Sequence, residues 1–128
     1  MSSSPPDSPA LVSIVDDDPS VRRALQRLVE SAGFAAETFS SGHQALGVGL
    51  LARTACFVID IHLGDMTGFD LRRMLVAGGV TVPMIFITAH DDVPTSECAW
   101  RSGAVAYLAK PIDSDVLLDA IRRAVSAL

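Results

Sequence analysis

Leu11-Val-Ser-Ile-Val-Asp-Asp-Asp-Pro19 is the stretch that decides the fold. Leu11–Val15 is short and mainly apolar, as a buried strand is, and three consecutive acids, Asp16–Asp18, bring it to an end. Asp18-Pro19 then opens a helix: Asp18 suits the N-cap, and Pro19 suits the first helical position, where its missing N–H is no loss. Val21, Leu25, Leu28, Val29 and Ala32 recur at helical spacing, and Gly33 stops the helix. A buried strand, an acidic turn and an amphipathic helix make one βα unit.

The same alternation repeats outward from that unit. Ala35–Phe39 reads as a second strand, and Ser40 or Ser41 caps a helix to about Leu51, weakened by Gly47 and Gly49. Cys56–Ile59 is a third strand ending at Asp60. A loop, His62–Gly68, leads from it into a helix through Phe69, Leu71, Met74 and Leu75, closed by Gly78-Gly79. Met84–Ile87 is a fourth strand ending at Thr88, followed by a helix around Thr95–Ser102. Ala104–Leu108 is a fifth strand, Lys110-Pro111 ends it, and Ser114–Leu128 is a final helix with Leu117, Ile121, Ala124 and Leu128 on one face. Five strands, each followed by a helix, imply a parallel α/β sheet covered on both faces, and right-handed crossovers favour the doubly wound open form.

Bulk properties agree and exclude some functions. A chain of 128 residues, 49% hydrophobic and 20% charged, is expected to form one globular domain, here residues 10–128 after a Ser/Pro/Asp-rich disordered leader over 1–9. A net charge of −5 disfavours nucleic-acid and anionic-membrane partners, which need Lys and Arg to offset phosphate. No stretch is long and apolar enough to span a bilayer, and the start lacks a signal pattern. Cys56 and Cys98 have no metal-ligand spacing and are expected as buried, reduced thiols, which suits a cytoplasmic location.

In doubly wound sheets the functional crevice lies beyond the carboxyl ends of the strands. The first strand ends in Asp16-Asp17, the third in Asp60 and the fourth in Thr88, while Lys110 follows the fifth. Three carboxylates on one rim need a counter-charge, and a hard dication held by one or two carboxylates and water, such as Mg²⁺, supplies it. One carboxylate then remains as a nucleophile towards a phosphoryl group, with Thr88 and Lys110 to meet the other phosphoryl oxygens. The plainer readings are weaker: one cap needs one Asp, not three, although Tyr107 reads equally as core with a satisfied hydroxyl. Trp100 suits helix packing or a partner contact, His43 the surface, and the Arg pairs at 22–23, 72–73 and 122–123 solvated helix faces.

The strings I-V-D-D-D at Ile14–Asp18, F-V-I-D at Phe57–Asp60, I-T-A-H at Ile87–His90 and Y-L-A-K-P at Tyr107–Pro111 resemble the response-regulator receiver domains of two-component signalling. D-V-P-T and G-A-V-A-Y are similar to receivers of the nitrogen-fixation regulator type, and the likeness runs over roughly residues 10–128. The resemblance implies a chemotaxis-regulator-like fold with flavodoxin-like strand order 2-1-3-4-5. It implies Asp60 as phosphoryl acceptor, Asp17 as direct and Asp16 as water-mediated ligand of Mg²⁺, and the His62 carbonyl as a further ligand. Thr88 and Lys110 would bind the phosphoryl group, Tyr107 would be the aromatic switch that follows Thr88, and Lys110-Pro111 would be cis. His62 and His90 would flank the water that hydrolyses the aspartyl phosphate, and Gly64, where the family usually has proline, suggests a looser loop.

The implied function is a receiver that accepts a phosphoryl group from a histidine kinase or phosphotransfer protein and switches conformation to control a downstream protein. Its only chemistry would be Mg²⁺-dependent self-phosphorylation and slow self-dephosphorylation, so it is not expected to be an enzyme. By analogy, the faces of Thr95–Ser102 and Ser114–Leu128 form the partner surface, or a homodimer surface on phosphorylation. Two other readings compete: a haloacid-dehalogenase-type phosphatase with Asp16 as nucleophile and Asp18 as acid/base, and an interaction module independent of phosphorylation. The first leaves Asp60 without a task and lacks a cap segment; the intact set of Asp17, Asp60, Thr88 and Lys110 speaks against the second.

Overall fold

The computed structural model describes residues 9–47 and 53–127. All but the last residue of the expected leader lies outside them, as do Leu128 and the continuation of the second helix towards Leu51. The elements run β1 (Leu11–Val15), α1 (Pro19–Ser31), β2 (Ala35–Phe39), α2 (Gly42–Gly47), β3 (Thr54–Asp60), α3 (Gly68–Ala77), β4 (Met84–Thr88), α4 (Val93–Arg101), β5 (Ala106–Ala109) and α5 (Ser114–Ser126). The five strands form one sheet in the order β2-β1-β3-β4-β5, and every neighbouring pair is parallel. Among the described residues no helix is long and apolar enough to cross a membrane.

Strand periodicity of two sorts the apolar side chains into two cores, one on each face of the sheet. Phe57, Ile59 and Phe86 point to the side covered by Leu71 and Leu75 of α3 and Ala99 of α4. Cys56, Val58, Ile85 and Ile87 point to the other side, against Leu25 and Val29 of α1 and Leu117 and Ile121 of α5. Central strands buried on both faces must be apolar throughout, which is why β4 (MIFIT) carries no alternation with polar residues and is buried along its length.

Helix starts are fixed by side-chain caps. Asp18 accepts from the amides of Ser20 (2.8 Å) and Val21 (3.4 Å), with Pro19 in the first turn, as the sequence predicts. Thr67 and Asp70 form a reciprocal capping box at α3. Asp92 caps α4 and Asp113 caps α5, so α4 begins two residues before the expected Thr95. Other boundaries shift by a residue or two. β3 starts at Thr54, because the Thr54 hydroxyl finds that of Ser13 at 2.8 Å and can be buried. β5 starts at Ala106, since the amides of Gly103 and Ala104 are spent on the carbonyls of Trp100 and Ala99. Cys56 is buried as expected, but Cys98 is only half-buried on α4.

The loop between β3 and α3 is not loose. Gly64 has φ +86°, a value closed to proline, so this loop takes a course that the proline-bearing version cannot. It is pinned by the Leu63 amide on the Met66 carbonyl (3.2 Å) and by Asp65, whose oxygens accept from the amides of Gly42 (3.2 Å) and His43 (3.0 Å) at the start of α2. His43 Nδ1 meets Asp65 Oδ2 at 2.6 Å, so this exposed residue has a partner the sequence did not reveal.

Gly68 is where α3 crosses the end of β3. A Cβ there would meet the Asp60 carbonyl at 2.8 Å, Ile59 Cγ2 at 3.0 Å and Ile61 Cα at 3.1 Å. Two of the three are backbone atoms that cannot step aside. Gly68→Ala is therefore expected to destabilise the fold by about 1–3 kcal/mol in chemical denaturation; an unchanged midpoint would mean that α3 does not approach β3 so closely.

Candidate functional site

Four strand ends build the site. Asp16 follows β1, and its amide is held by the Phe39 carbonyl of β2 (3.1 Å). Asp60 is the last residue of β3 and pairs in register with Ile87 of β4, whose carbonyl also takes the Ile61 amide (3.0 Å). Thr88 ends β4 opposite Ala109 of β5, and the Lys110 amide donates to the Thr88 carbonyl at 2.7 Å. That last bond places Lys110 beside the other three chain ends, and the Lys110–Pro111 peptide that follows is cis, as the resemblance implied.

Ligand atoms of Asp16, Asp17 and Asp60 lie within 4.8 Å of one another. Lys110 Nζ bridges two of them, donating to Asp16 Oδ2 at 2.9 Å and Asp60 Oδ2 at 3.1 Å. Asp16 is fully buried, Asp60 and Thr88 nearly or wholly so, and Asp17 is exposed. Burial pushes the Asp16 carboxyl above the ordinary aspartate range, and the charge of Asp60 adds to this; hydrogen bonds from the Asp18 amide and Lys110 pull the other way. For Lys110, burial lowers the pKa, but its hydrogen bonds to Asp16 and Asp60 and their charges outweigh that and leave it raised. The lysine is thus held as an ammonium between two carboxylates.

The remaining donors are aimed inward. The His62 amide donates to Asp60 Oδ1 (3.1 Å), and the His90 amide to Thr88 Oγ1 (2.9 Å), which leaves the threonine hydroxyl proton free for another acceptor. Arg22 Nη1 donates to the Asp16 carbonyl at 2.8 Å. The sequence reading had assigned Arg22 to a solvated face; only the return of α1 over the acidic turn reveals its role. Three hard oxygen ligands, with one ammonium against them, fit a divalent cation such as Mg²⁺ or Ca²⁺ better than a soft one.

Tyr107 lies on β5 beyond this cluster with its hydroxyl donating to Asp91 Oδ1 at 3.0 Å. The ring is half-buried, packed against the core that contains Phe86 and Ala99. Partial burial, then the hydrogen bond to Asp91 and the charges of Asp91 and Asp92, raise its pKa to about 12. Trp100 is 54% exposed on α4 and has no part in the site.

Comparison with known proteins gives this fold its family. The family model "Response regulator receiver domain" matches residues 12–122. The chain is similar to the response regulator protein TmoT of Ectopseudomonas mendocina, with 39% identity over 93% of this chain and 54% of TmoT. Among solved structures it is similar to the response regulator StyR (38% identity, TM-score 0.84, 91% of this chain and 59% of that one). It is also similar to FIXJ-N (34% identity, TM-score 0.81, 92% and 94%). The chain spans about half the length of the first curated relatives it matches.

Removing Lys110 leaves two buried carboxylates facing each other. Lys110→Ala is expected to lose about 1–3 kcal/mol of stability at neutral pH, less than for a fully buried pair because Lys110 itself keeps some contact with water. Added divalent cation should recover part of the deficit, and equal stability of variant and wild type without it would show that the ammonium is dispensable. The chain has a single tyrosine, so alkaline absorbance titration reads Tyr107 alone. Its midpoint should fall at about 12, and Asp91→Asn should lower it. Because the folded pKa is raised, the stability this contact contributes is complete below the unfolded value near 10 and disappears as pH climbs through about 12. A wild-type midpoint near the unfolded value would mean that Tyr107 does not stay on Asp91.

Proposed function

Since this chain belongs to the response regulator receiver family, we propose that Asp60 accepts a phosphoryl group from a histidine kinase or histidine phosphotransfer protein in a Mg²⁺-dependent reaction. The observation that carries the reading is the bridging of Asp16 and Asp60 by Lys110 at 2.9 and 3.1 Å, beside the buried Thr88. A carboxylate cluster built only to cap a helix would have no use for that lysine.

Asp16, Asp17 and Asp60 would hold the ion, with the His62 carbonyl as the further protein ligand that the family likeness suggests. When bound, Mg²⁺ supplies positive charge to a phosphoryl oxygen and to the crowded carboxylates. A carboxylate oxygen of Asp60 attacks phosphorus, the bond from phosphorus to the donor's imidazole nitrogen breaks, and that nitrogen keeps the electron pair. Lys110 then exchanges its contact with Asp60 for a phosphoryl oxygen, and the Thr88 hydroxyl donates to another. Asp16, fully buried and bonded to the Asp18 amide (2.9 Å) and Lys110, would stay in place on the ion's side of the pocket.

Signalling follows from the new anion. Movement of Thr88 towards the phosphoryl group opens room beneath β4, and Tyr107 swings in from Asp91 to fill it, so the populations of two packings shift. The altered face of α4, β5 and α5 would meet a downstream protein or a second copy. His62 and His90 follow Asp60 and Thr88 by two residues and pair edge to face, so His62→Ala and His90→Ala should each change the decay rate of the aspartyl phosphate. A cytoplasmic location suits the reduced thiols Cys56 and Cys98.

Incubation with acetyl phosphate and Mg²⁺, read by intact mass, tests the chemistry. Wild type should gain one acid-labile phosphoryl group, and Asp60→Asn none; chelation of the metal should prevent the gain. Labelling that persists in Asp60→Asn, or catalytic turnover of a simple phosphate monoester, would overturn the reading.

A further inference from the structure

Two imidazoles stand at the mouth of the acidic pocket. His62, on the loop after β3, and His90, on the loop after β4, meet edge to face with ring centroids 4.9 Å apart and planes at 87°. Both residues are exposed. Their backbones are fixed from below, because the His62 amide is bonded to Asp60 and the His90 amide to Thr88. The rings are therefore held near each other by the site itself, while neither is locked by packing.

From this pairing we propose that His62 and His90 form a second metal site, for a borderline transition-metal dication such as Zn²⁺, with water in the remaining positions. Zn–N bonds of about 2.0–2.1 Å with a tetrahedral opening put the centroids of two ligating imidazoles about 5 Å apart. The separation found, 4.9 Å, meets that distance without moving either backbone. One exposed ring has only to turn about its own side-chain bonds to bring a nitrogen, rather than a ring edge, to the shared point.

Two imidazoles, with the other positions left for water, are ligands for Zn²⁺ and its neighbours rather than for Mg²⁺. The all-carboxylate cluster of Asp16, Asp17 and Asp60 has the opposite preference. The two sites would thus hold different ions side by side. A dication on His62 and His90 would tie the loop after β3 to the loop after β4 and stand on the route to Asp60. Provided Asp60 is the phosphoryl acceptor, bound Zn²⁺ would slow both the gain and the loss of the phosphoryl group.

Calorimetric titration of the whole chain with Zn²⁺, at pH ~7.5 and in excess Mg²⁺, tests the site without phosphoryl chemistry. One equivalent should bind, and His62→Ala and His90→Ala should each weaken it about tenfold or more. Both residues are exposed, so the variants are expected to fold, as circular dichroism would check. Binding of wild-type strength in the double His variant would overturn the proposal. So would a tight site abolished by Asp17→Asn, which would assign the ion to the acidic pocket, or by His43→Ala, which would assign it to the His43–Asp65 pair. Failure of Asp60 to label with acetyl phosphate would leave this site untouched, and absence of Zn²⁺ binding would leave the acceptor reading untouched. If both hold, saturating Zn²⁺ should slow labelling of wild type and not of the double His variant; equal slowing in both would show that the ion does not gate the pocket.

Discussion

Lys110 between Asp16 and Asp60 is the contact on which the rest of the structure depends. Two carboxylates buried so close together repel, and burial of either one alone already disfavours its charge. The ammonium resolves that conflict only while the fifth strand end stays beside the first and third, which links the charge balance to the order of the sheet. It also leaves the site poised. An arriving phosphoryl group would draw Lys110 from Asp60, and a divalent ion would offset the charge of Asp16 and Asp17.

The sheet turns this local balance into a wider one. Thr88 and Tyr107 lie on the adjacent strands β4 and β5, with Tyr107 opposite Phe86 in the register. The tyrosine is held outward by one hydrogen bond to Asp91, in the short connection that leads into α4. Under the proposed switch, an event at Asp60 would reach the α4 surface through Thr88 and Tyr107. His62 and His90 occupy the corresponding positions at the open side of the pocket, two residues beyond Asp60 and Thr88. Their placement makes the rim a site with its own chemistry, distinct from that of the oxygen cluster below.

The departures from the sequence reading come from contacts that no local pattern marks. Arg22 and His43 looked like surface residues, but Arg22 reaches back six residues to the Asp16 carbonyl and His43 meets Asp65, twenty-two residues on. Gly64 looked like a loss of rigidity because a missing proline is visible in sequence, whereas the amides that pin the loop, at Leu63, Gly42 and His43, are not. The early start of β3 follows from Ser13, forty-one residues from Thr54, whereas the early start of α4 rests on a local cap, Asp92 on the Thr95 amide.

What the residues determined unaided was the alternation of strand and helix, the doubly wound sheet, and the identity of the polar residue at each strand end. Those depend on period, burial and chain stiffness, which act over a few residues and are written locally. Asp16, Asp17, Asp60, Thr88 and Lys110 were legible as one set because parallel strands all carry their ends to the same edge. Only the tertiary structure decided which of them touch, that Lys110 bridges Asp16 and Asp60 rather than facing water, that Tyr107 rests on Asp91, and that His62 and His90 meet. These are distances of a few ångströms between groups far apart in sequence, set by strand register and loop course, and no local pattern encodes them.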